Sequence, residues 1–348
     1  MSGLPFLGGP GCYLGLPAPA KLNLFLHILG RRADGYHEIQ SVFVPLDLCD
    51  TIDMELRTDG RIVREGDLTG HEDGDLAVRA GRALQKYAAT SRPDAVAGAT
   101  LRVQKRIPVG AGLGGGSSDA ATTLIGLNRL WRLGLNRSEL AVLARGLGAD
   151  VPFFLGEGPA FVGGIGEQCE PVSLPPAWYV LVYPQVHVST AEIFADPKLT
   201  RDSKQTTIAG FSAALNRDYF AENARENSLG NLTENAEGNT AGNTAGNTAG
   251  NTAHNAKAAA PVEIFGRNDL EVVVRARFAA VDEAVRLLNQ CAGPGSAARM
   301  SGSGSAVFRV VPGAERARSL LEAVRARMPA GWSAWAVAGL RALPLAQW

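Results

Sequence analysis

The stretch Pro108-Val109-Gly110-Ala111-Gly112-Leu113-Gly114-Gly115-Gly116-Ser117-Ser118 has the composition of an anion cradle. Glycines admit positive φ and let backbone approach a ligand closely, and successive N–H groups form a concave nest. The helix expected directly after the serines adds partial positive charge at its N-terminus. The serine hydroxyls are suited to donate to phosphate oxygens or to reach a magnesium ion. The loop contains no lysine, so it is not the Gly-x-x-x-x-Gly-Lys-Ser/Thr phosphate loop, and it lacks the acidic partner of a dinucleotide fingerprint. An apolar-faced helix after the loop and Pro108 before it argue against a flexible linker. Asp119 follows immediately. A carboxylate aimed at phosphate would repel it, so this side chain is expected to turn away toward the helix start.

The elements that must hold this loop are legible in part. Leu22, Leu24, Leu26 and Ile28 alternate as in a strand, and Ile39, Val42, Val44 and Leu46 follow after the turn Arg31-Arg32-Ala33-Asp34-Gly35. The pattern predicts a helix over 76–87, a strand over 99–103, and a helix from Ser118 to Trp131 that ends at Gly134. A further helix over 137–146 has Asn136 and Glu139 placed as a capping box. After Pro171 the pattern restarts, with strands at 178–183 and 306–311 and helices at 190–195, 268–290 and 313–327. The expected organisation is an N-terminal extension at 1–17, a first domain at 18–172 and a second at 173–348. Asparagine recurs at every fourth position from Asn223 to Asn255, with Gly-Asn-Thr-Ala repeated four times over 238–253. A period of four drifts around a helix of about 3.6 residues per turn, and the segment has almost nothing apolar to bury. The region 223–258 therefore reads as a low-complexity, disordered insertion rather than a solenoid.

A chain of 348 residues is long enough for two cores. Its 34 basic and 34 acidic residues balance, which argues against a broad surface for nucleic acid or anionic membrane. Four cysteines without a Cys-x-x-Cys pair and five histidines without ligand spacing suit a reducing compartment and no structural zinc. No apolar run approaches the roughly 20 residues of a membrane span, and the expected location is the cytoplasm.

The segment 108–121, Pro-x-x-x-Gly-Leu-Gly-Gly-Gly-Ser-Ser-Asp-Ala-Ala, resembles the ATP motif of the GHMP kinases, the family of galactokinase, homoserine kinase and mevalonate kinase. Two more motifs of that family appear in order, Ala18-Pro-Ala-Lys-Leu-Asn23 and Met300-Ser-Gly-Ser-Gly-Ser-Ala306. The resemblance implies an α/β, two-domain fold: a ribosomal protein S5 domain 2-like half joined to a ferredoxin-like α+β half. It also implies ATP with Mg2+ as cofactor and a small-molecule acceptor. The metal ligands and the choice between monomer and homodimer stay open.

A narrower resemblance rests on Gly30-Arg-Arg-Ala-Asp-Gly-Tyr-His37, on Gly148-Ala-Asp150-Val-Pro-Phe-Phe and on Asn268-Asp-Leu-Glu. These are similar to the branch that phosphorylates a cytidine diphosphate ester of a branched polyol for isoprenoid precursors. The Gly-Glu-His sequence of galactokinases and mevalonate kinases is absent. By this resemblance Asp150 is the candidate base and Lys21 the cation that stabilises the developing alkoxide. Taken alone, Asp150 reads as a residue of a helix C-terminal turn and Lys21 as a solvated surface lysine. Tyr36 and His37 are implied to hold the cytosine with Phe194 stacking opposite, and Asn23 and Thr190 to bind the diphosphate and polyol. Ala191 stands where the branch often has proline, which makes Thr190 the weakest match. The competing expectations are another GHMP kinase such as homoserine kinase, or an inactive relative that senses a metabolite.

Overall fold

The computed structural model describes residues 6–67, 71–91, 97–211, 213, 266–293 and 297–348. The Asn-rich segment 223–258 lies outside the described residues. The long hairpin of β2 (Cys12–Arg31) and β3 (His37–Arg57) is the spine of the molecule. It turns at Arg32–Tyr36, where the Arg32 amide donates to the Tyr36 carbonyl at 2.8 Å. Together with β1 (Leu7–Gly9), β4 (Ile62–Gly66) and β5 (Gly98–Gln104) it forms a sheet in the order β1-β2-β3-β5-β4. Strand β6 (Ala160–Gly163) pairs with the first half of β3, and β7 (Gln168–Pro171) extends it. All pairings are antiparallel except β4 with β5.

The stretch expected to be a loose extension up to residue 17 is strand from Cys12 onward, because β3 is long enough to pair with it as far as Glu55 opposite Cys12. Pro17 and Pro19 obscure this in the sequence. The β2–β3 register shifts between Pro19 and Lys21, and such a bulge is where a strand tolerates a residue without an N–H donor.

Helices α1 (Leu76–Ser91) and α2 (Gly115–Leu130) lie against the first sheet, with α3 (Arg137–Arg145) beside them. Leu84, Leu124 and Leu127 from these helices bury against Ile52, Met54, Leu101 and Val103 of the strands. The predicted Asn136–Glu139 capping box is present on α3, with both reciprocal bonds formed. Helix α2 begins three residues earlier than expected, at Gly115, since Gly114 in the left-handed region serves as its N-cap.

The second sheet has four antiparallel strands in the order β11-β8-β10-β9, formed by β8 (Trp178–Tyr183), β9 (Arg299–Met300), β10 (Val307–Val311) and β11 (Ser333–Ala338). Strand β8 is apolar on both faces. Val180 and Val182 pack with the helices of this half, while Tyr179 and Leu181 pack toward Val44 and Leu46 of β3. The two sheets thus share a core through the alternation of one strand. The helix expected over 268–290 is two helices, α5 (Glu271–Arg277) and α6 (Ala279–Ala292), following the short α4 (Thr190–Ala195). They break at Phe278, whose φ of −125° and ψ of 93° are extended, and no glycine or proline announces that break. Helix α7 (Ala314–Arg325) completes this layer.

Candidate active site

Lys21 sits where β2 passes under the glycine-rich loop. Its backbone N–H donates to the Leu113 carbonyl at 2.9 Å, which joins strand and loop directly. Gly114 has a φ of +71°, and a Cβ there would lie 2.9 Å from Lys21 Cγ, so the loop packs on the aliphatic stem of the lysine. The ammonium is thereby buried, with the side chain only 4% exposed. It is held 3.2 Å from Asp150 Oδ2, 2.6 Å from Asn23 Oδ1 and 4.4 Å from the centre of the Phe43 ring. Asp150, 29% exposed, occupies the turn between α3 and the 3-10 helix Pro152–Leu155, anchored by the buried Val151, Phe153 and Phe154. A buried cation with a partly exposed carboxylate beside it can stabilise charge that develops on a hydroxyl entering from solvent.

The loop itself is fixed from the second half of the molecule. The Ala306 N–H donates to the Ala111 carbonyl at 3.0 Å, and the Ser301 hydroxyl donates to the Gly112 carbonyl at 3.1 Å. The same Ser301 oxygen accepts from the Asn23 N–H at 3.2 Å. A Cβ on Gly112, whose φ is +76°, would lie 2.3 Å from the Ser301 carbonyl oxygen, and one on Gly302 would lie 3.2 Å from Asn23 Oδ1. The three separated motifs therefore meet at one place. Beyond them opens a cleft of about 710 Å³, lined by Lys21, Asn23, Asp150, Thr190, Phe194 and the loop from Pro108 to Ser117. The loop residues Val109, Gly110, Ala111, Gly115 and Gly116 are all on this wall. Ser118 is not. It is fully buried beneath the loop, and its hydroxyl has no hydrogen-bond partner. By helix geometry the first-turn N–H groups of α2 have no acceptor within the helix, and the residues that bear them, Gly115, Gly116 and Ser117, line this cleft.

Contrary to the expectation that it turns away toward the helix start, Asp119 is paired with Lys105 in the cleft wall beside the loop. Its Oδ2 lies 2.6 Å from Lys105 Nζ, which also pairs with Asp50 Oδ2 at 2.5 Å. Asp50 Oδ1 accepts from the backbone N–H groups of Arg106 and Ile107 at 2.5 and 2.8 Å. Burial pushes the Asp119 carboxyl up to about 7, against the pull of Lys105. Burial works to lower the Lys105 ammonium, and the two carboxylates outweigh it and raise it. Lys105 and Asp119 both line the cleft beside the loop. Sequence reasoning missed Lys105, although it lies three residues before Pro108 in Lys105-Arg106-Ile107-Pro108.

At the far end of the cleft the implied acceptor residues separate. The His37 and Phe194 rings stack at 5.0 Å with an interplanar angle of 33°. Burial lowers His37, followed by the charges of Arg201 and Arg31. Thr190 is in the cleft wall, its hydroxyl 2.7 Å from that of Ser303, so this residue reaches the C-terminal Gly/Ser loop despite Ala191. Asn23 Nδ2 donates to Ser41 Oγ at 3.0 Å, which orients its amide oxygen toward Lys21. Tyr36 is 61% exposed at the tip of the β2–β3 turn, and neither it nor His37 is part of the cleft wall; His37 meets the cleft only through its ring contact with Phe194. Among the described residues no three His, Cys, Asp or Glu side chains gather as a metal site, and no helix is long and apolar enough to cross a membrane.

Comparison with known proteins agrees with this geometry. Residues 75–158 match the family described as GHMP kinases N terminal domain, and residues 254–330 match GHMP kinases C terminal. A 4-diphosphocytidyl-2-C-methyl-D-erythritol kinase of Burkholderia lata is 43% identical over 329 residues, 94% of each chain. One from Thiobacillus denitrificans is 46% identical over 309 residues, 88% of this chain and 90% of the other. A crystal structure of 4-(cytidine 5'-diphospho)-2C-methyl-D-erythritol kinase superposes with a TM-score of 0.67 at 31% identity, covering 93% of this chain and 98% of that one. Homoserine kinase from Cytophaga hutchinsonii, at 16% identity and a TM-score of 0.55, shares the fold. With one cleft formed by all three of its motifs and relatives of this identity along nearly its full length, the chain belongs to the GHMP kinase family.

Proposed function

We propose that this protein transfers the γ-phosphoryl group of ATP to the 2-hydroxyl of 4-diphosphocytidyl-2-C-methyl-D-erythritol. The observation that carries the reading is the pair of the buried Lys21 and the partly exposed Asp150, 3.2 Å apart, beside a glycine loop that leads into a helix in one cleft. Phosphoryl transfer needs positioning and charge stabilisation more than covalent chemistry. The loop backbone and the α2 N-terminus take the triphosphate, and Lys21 stabilises the acceptor oxygen as its proton leaves to Asp150. Asn23, held by Ser41 and bonded to the ammonium, keeps Lys21 aimed at the acceptor.

Oxygen donors on the cleft wall near the loop, among them the Ser117 hydroxyl and the Asp119 and Asp150 carboxylates, suit a Mg2+ brought in by the nucleotide, since that ion commonly takes few protein ligands beside phosphate and water. Bound there, the ion would neutralise charge on the transferring phosphates.

In this reading Phe194, backed by His37, takes the cytosine, and Thr190 and Asn23 take the diphosphate and polyol, with Ser303 beside Thr190. Tyr36 would have to fold inward from its exposed position to join them. The reaction is one of cytoplasmic small-molecule metabolism. The test is ADP release with a panel of acceptors: the cytidylyl compound, methylerythritol phosphate, homoserine, mevalonate and galactose. The cytidylyl compound is expected to give the highest kcat/KM, and a higher value for any other acceptor would refute the assignment.

A further inference from the structure

We propose that Arg201 is a positioning residue for the acceptor end of the cleft, fixing the tautomer of His37 and holding the Phe194 helix end against the β2–β3 turn. This inference rests on the acceptor reading above.

Arg201 lies in the irregular stretch after α4. Its Nε–H donates to His37 Nε2 at 3.1 Å. Its Nη2 donates to the carbonyls of Phe194 and Asp196 at 2.9 and 2.8 Å, and its Nη1 to the Leu199 carbonyl at 3.1 Å. A guanidinium has donors only, so His37 Nε2 must offer its lone pair and the ring proton must sit on Nδ1. A protonated imidazole would place a hydrogen against the arginine and lose the bond. The surroundings act in the same direction, since burial disfavours the charged ring and the two charges that act on it, Arg201 and Arg31, are both positive. The ring is therefore neutral, with Nδ1–H as its single donor, and it backs Phe194, the ring that lines the cleft.

Two of the three carbonyls that Arg201 collects, those of Phe194 and Asp196, come from the end of α4, where a cation is favoured. Phe194 supplies one of them and stacks on His37 through its own ring. One planar fork thus sets both the imidazole and the helix end that bears its stacking partner. Further along the same stretch, Thr206 N–H donates to Gln40 Oε1 at 2.8 Å and Gln40 Nε2 donates to the Thr206 carbonyl at 3.1 Å. The stretch is consequently tied to β3 at two points, and Arg201 is the one that touches the wall.

The experiment uses the full chain as wild type, Arg201→Met and Arg201→Lys, with steady-state kinetics on 4-diphosphocytidyl-2-C-methyl-D-erythritol and nitrogen-15 NMR of the His37 imidazole. In wild type the imidazole is expected as the Nδ1–H tautomer. Arg201→Met should raise its titration midpoint, and should raise the acceptor KM about ten- to hundredfold, the range for losing a charge-assisted hydrogen bond. The KM for ATP should stay within about twofold. Arg201→Lys keeps the charge but not the fork, so the midpoint should stay low while the acceptor KM remains raised. An Nε2–H tautomer in wild type, or an acceptor KM restored to the wild-type value by lysine, would overturn the proposal. So would a fall in melting temperature with both KM values rising together, the mark of a merely structural residue. If wild type does not turn over the cytidylyl compound, the acceptor reading fails, and the imidazole signals still decide the Arg201 contact.

Discussion

Replacing Lys21 by methionine removes the charge while keeping most of the volume of a buried stem. On the proposed mechanism the ammonium stabilises negative charge that forms on the acceptor oxygen only in the transition state. Losing one such preorganised donor lowers kcat by about 10²- to 10⁴-fold, or about 3 to 5 kcal/mol of barrier. The effect on folding is expected to be far smaller. Asp150, 29% exposed, can turn its carboxylate to water when the lysine is gone. Asn23 Oδ1 loses its partner inside the protein, at a cost of about 1 to 3 kcal/mol, offset in part because a buried cation no longer needs desolvation. The net change should stay within about 2 kcal/mol, or about 3 °C in melting temperature for a chain of 348 residues. The assay is ADP release at saturating ATP and acceptor, paired with nucleotide titration and a thermal melt. A variant that keeps more than half of the wild-type kcat would remove Lys21 from the mechanism. A large loss of nucleotide affinity with kcat unchanged would instead assign it to the triphosphate.

Gly112→Ala should weaken nucleotide binding at least tenfold. Its Cβ would lie 2.3 Å from a backbone oxygen of Ser301 at a φ of +76°, and neither can yield without moving the loop; an unchanged Kd by calorimetry would show that the loop does not hold the nucleotide. His37→Ala should raise the acceptor KM about tenfold or more through lost stacking and leave the KM for ATP alone, and equal changes in both would count against the wall. Asp119→Asn tests the buried carboxyl. With its folded-state pKa raised to about 7, above the unfolded value, the group favours the folded state while protonated and loses that contribution as pH rises toward 7. The variant should therefore gain stability relative to wild type between pH 5 and pH 8, and a melting-temperature difference equal at both pH values would refute the shift.

The features that could be read from sequence were those whose physics is local. A nest for phosphate needs glycines in succession, a capping box needs two side chains three residues apart, and strand β8 declares itself by an unbroken apolar run. Each was found within a few residues of its observed position, because the partners are also neighbours in the chain. Lys21 and Asp150 were identified only through motif resemblance, since a lysine in a strand and an aspartate in a turn carry no individual signal. Long-range pairing decided the rest. Cys12–Pro17 became strand because β3 was long enough to cover it, and Ser118 went beneath the loop because α2 began at Gly115. Lys105 gathered Asp50 from 55 residues away and Asp119 from 14, and Arg201 reached His37 across 164 residues. The burial that fixes these charges and sets their proton affinities exists only once both sheets share a core, so no window of sequence contains it.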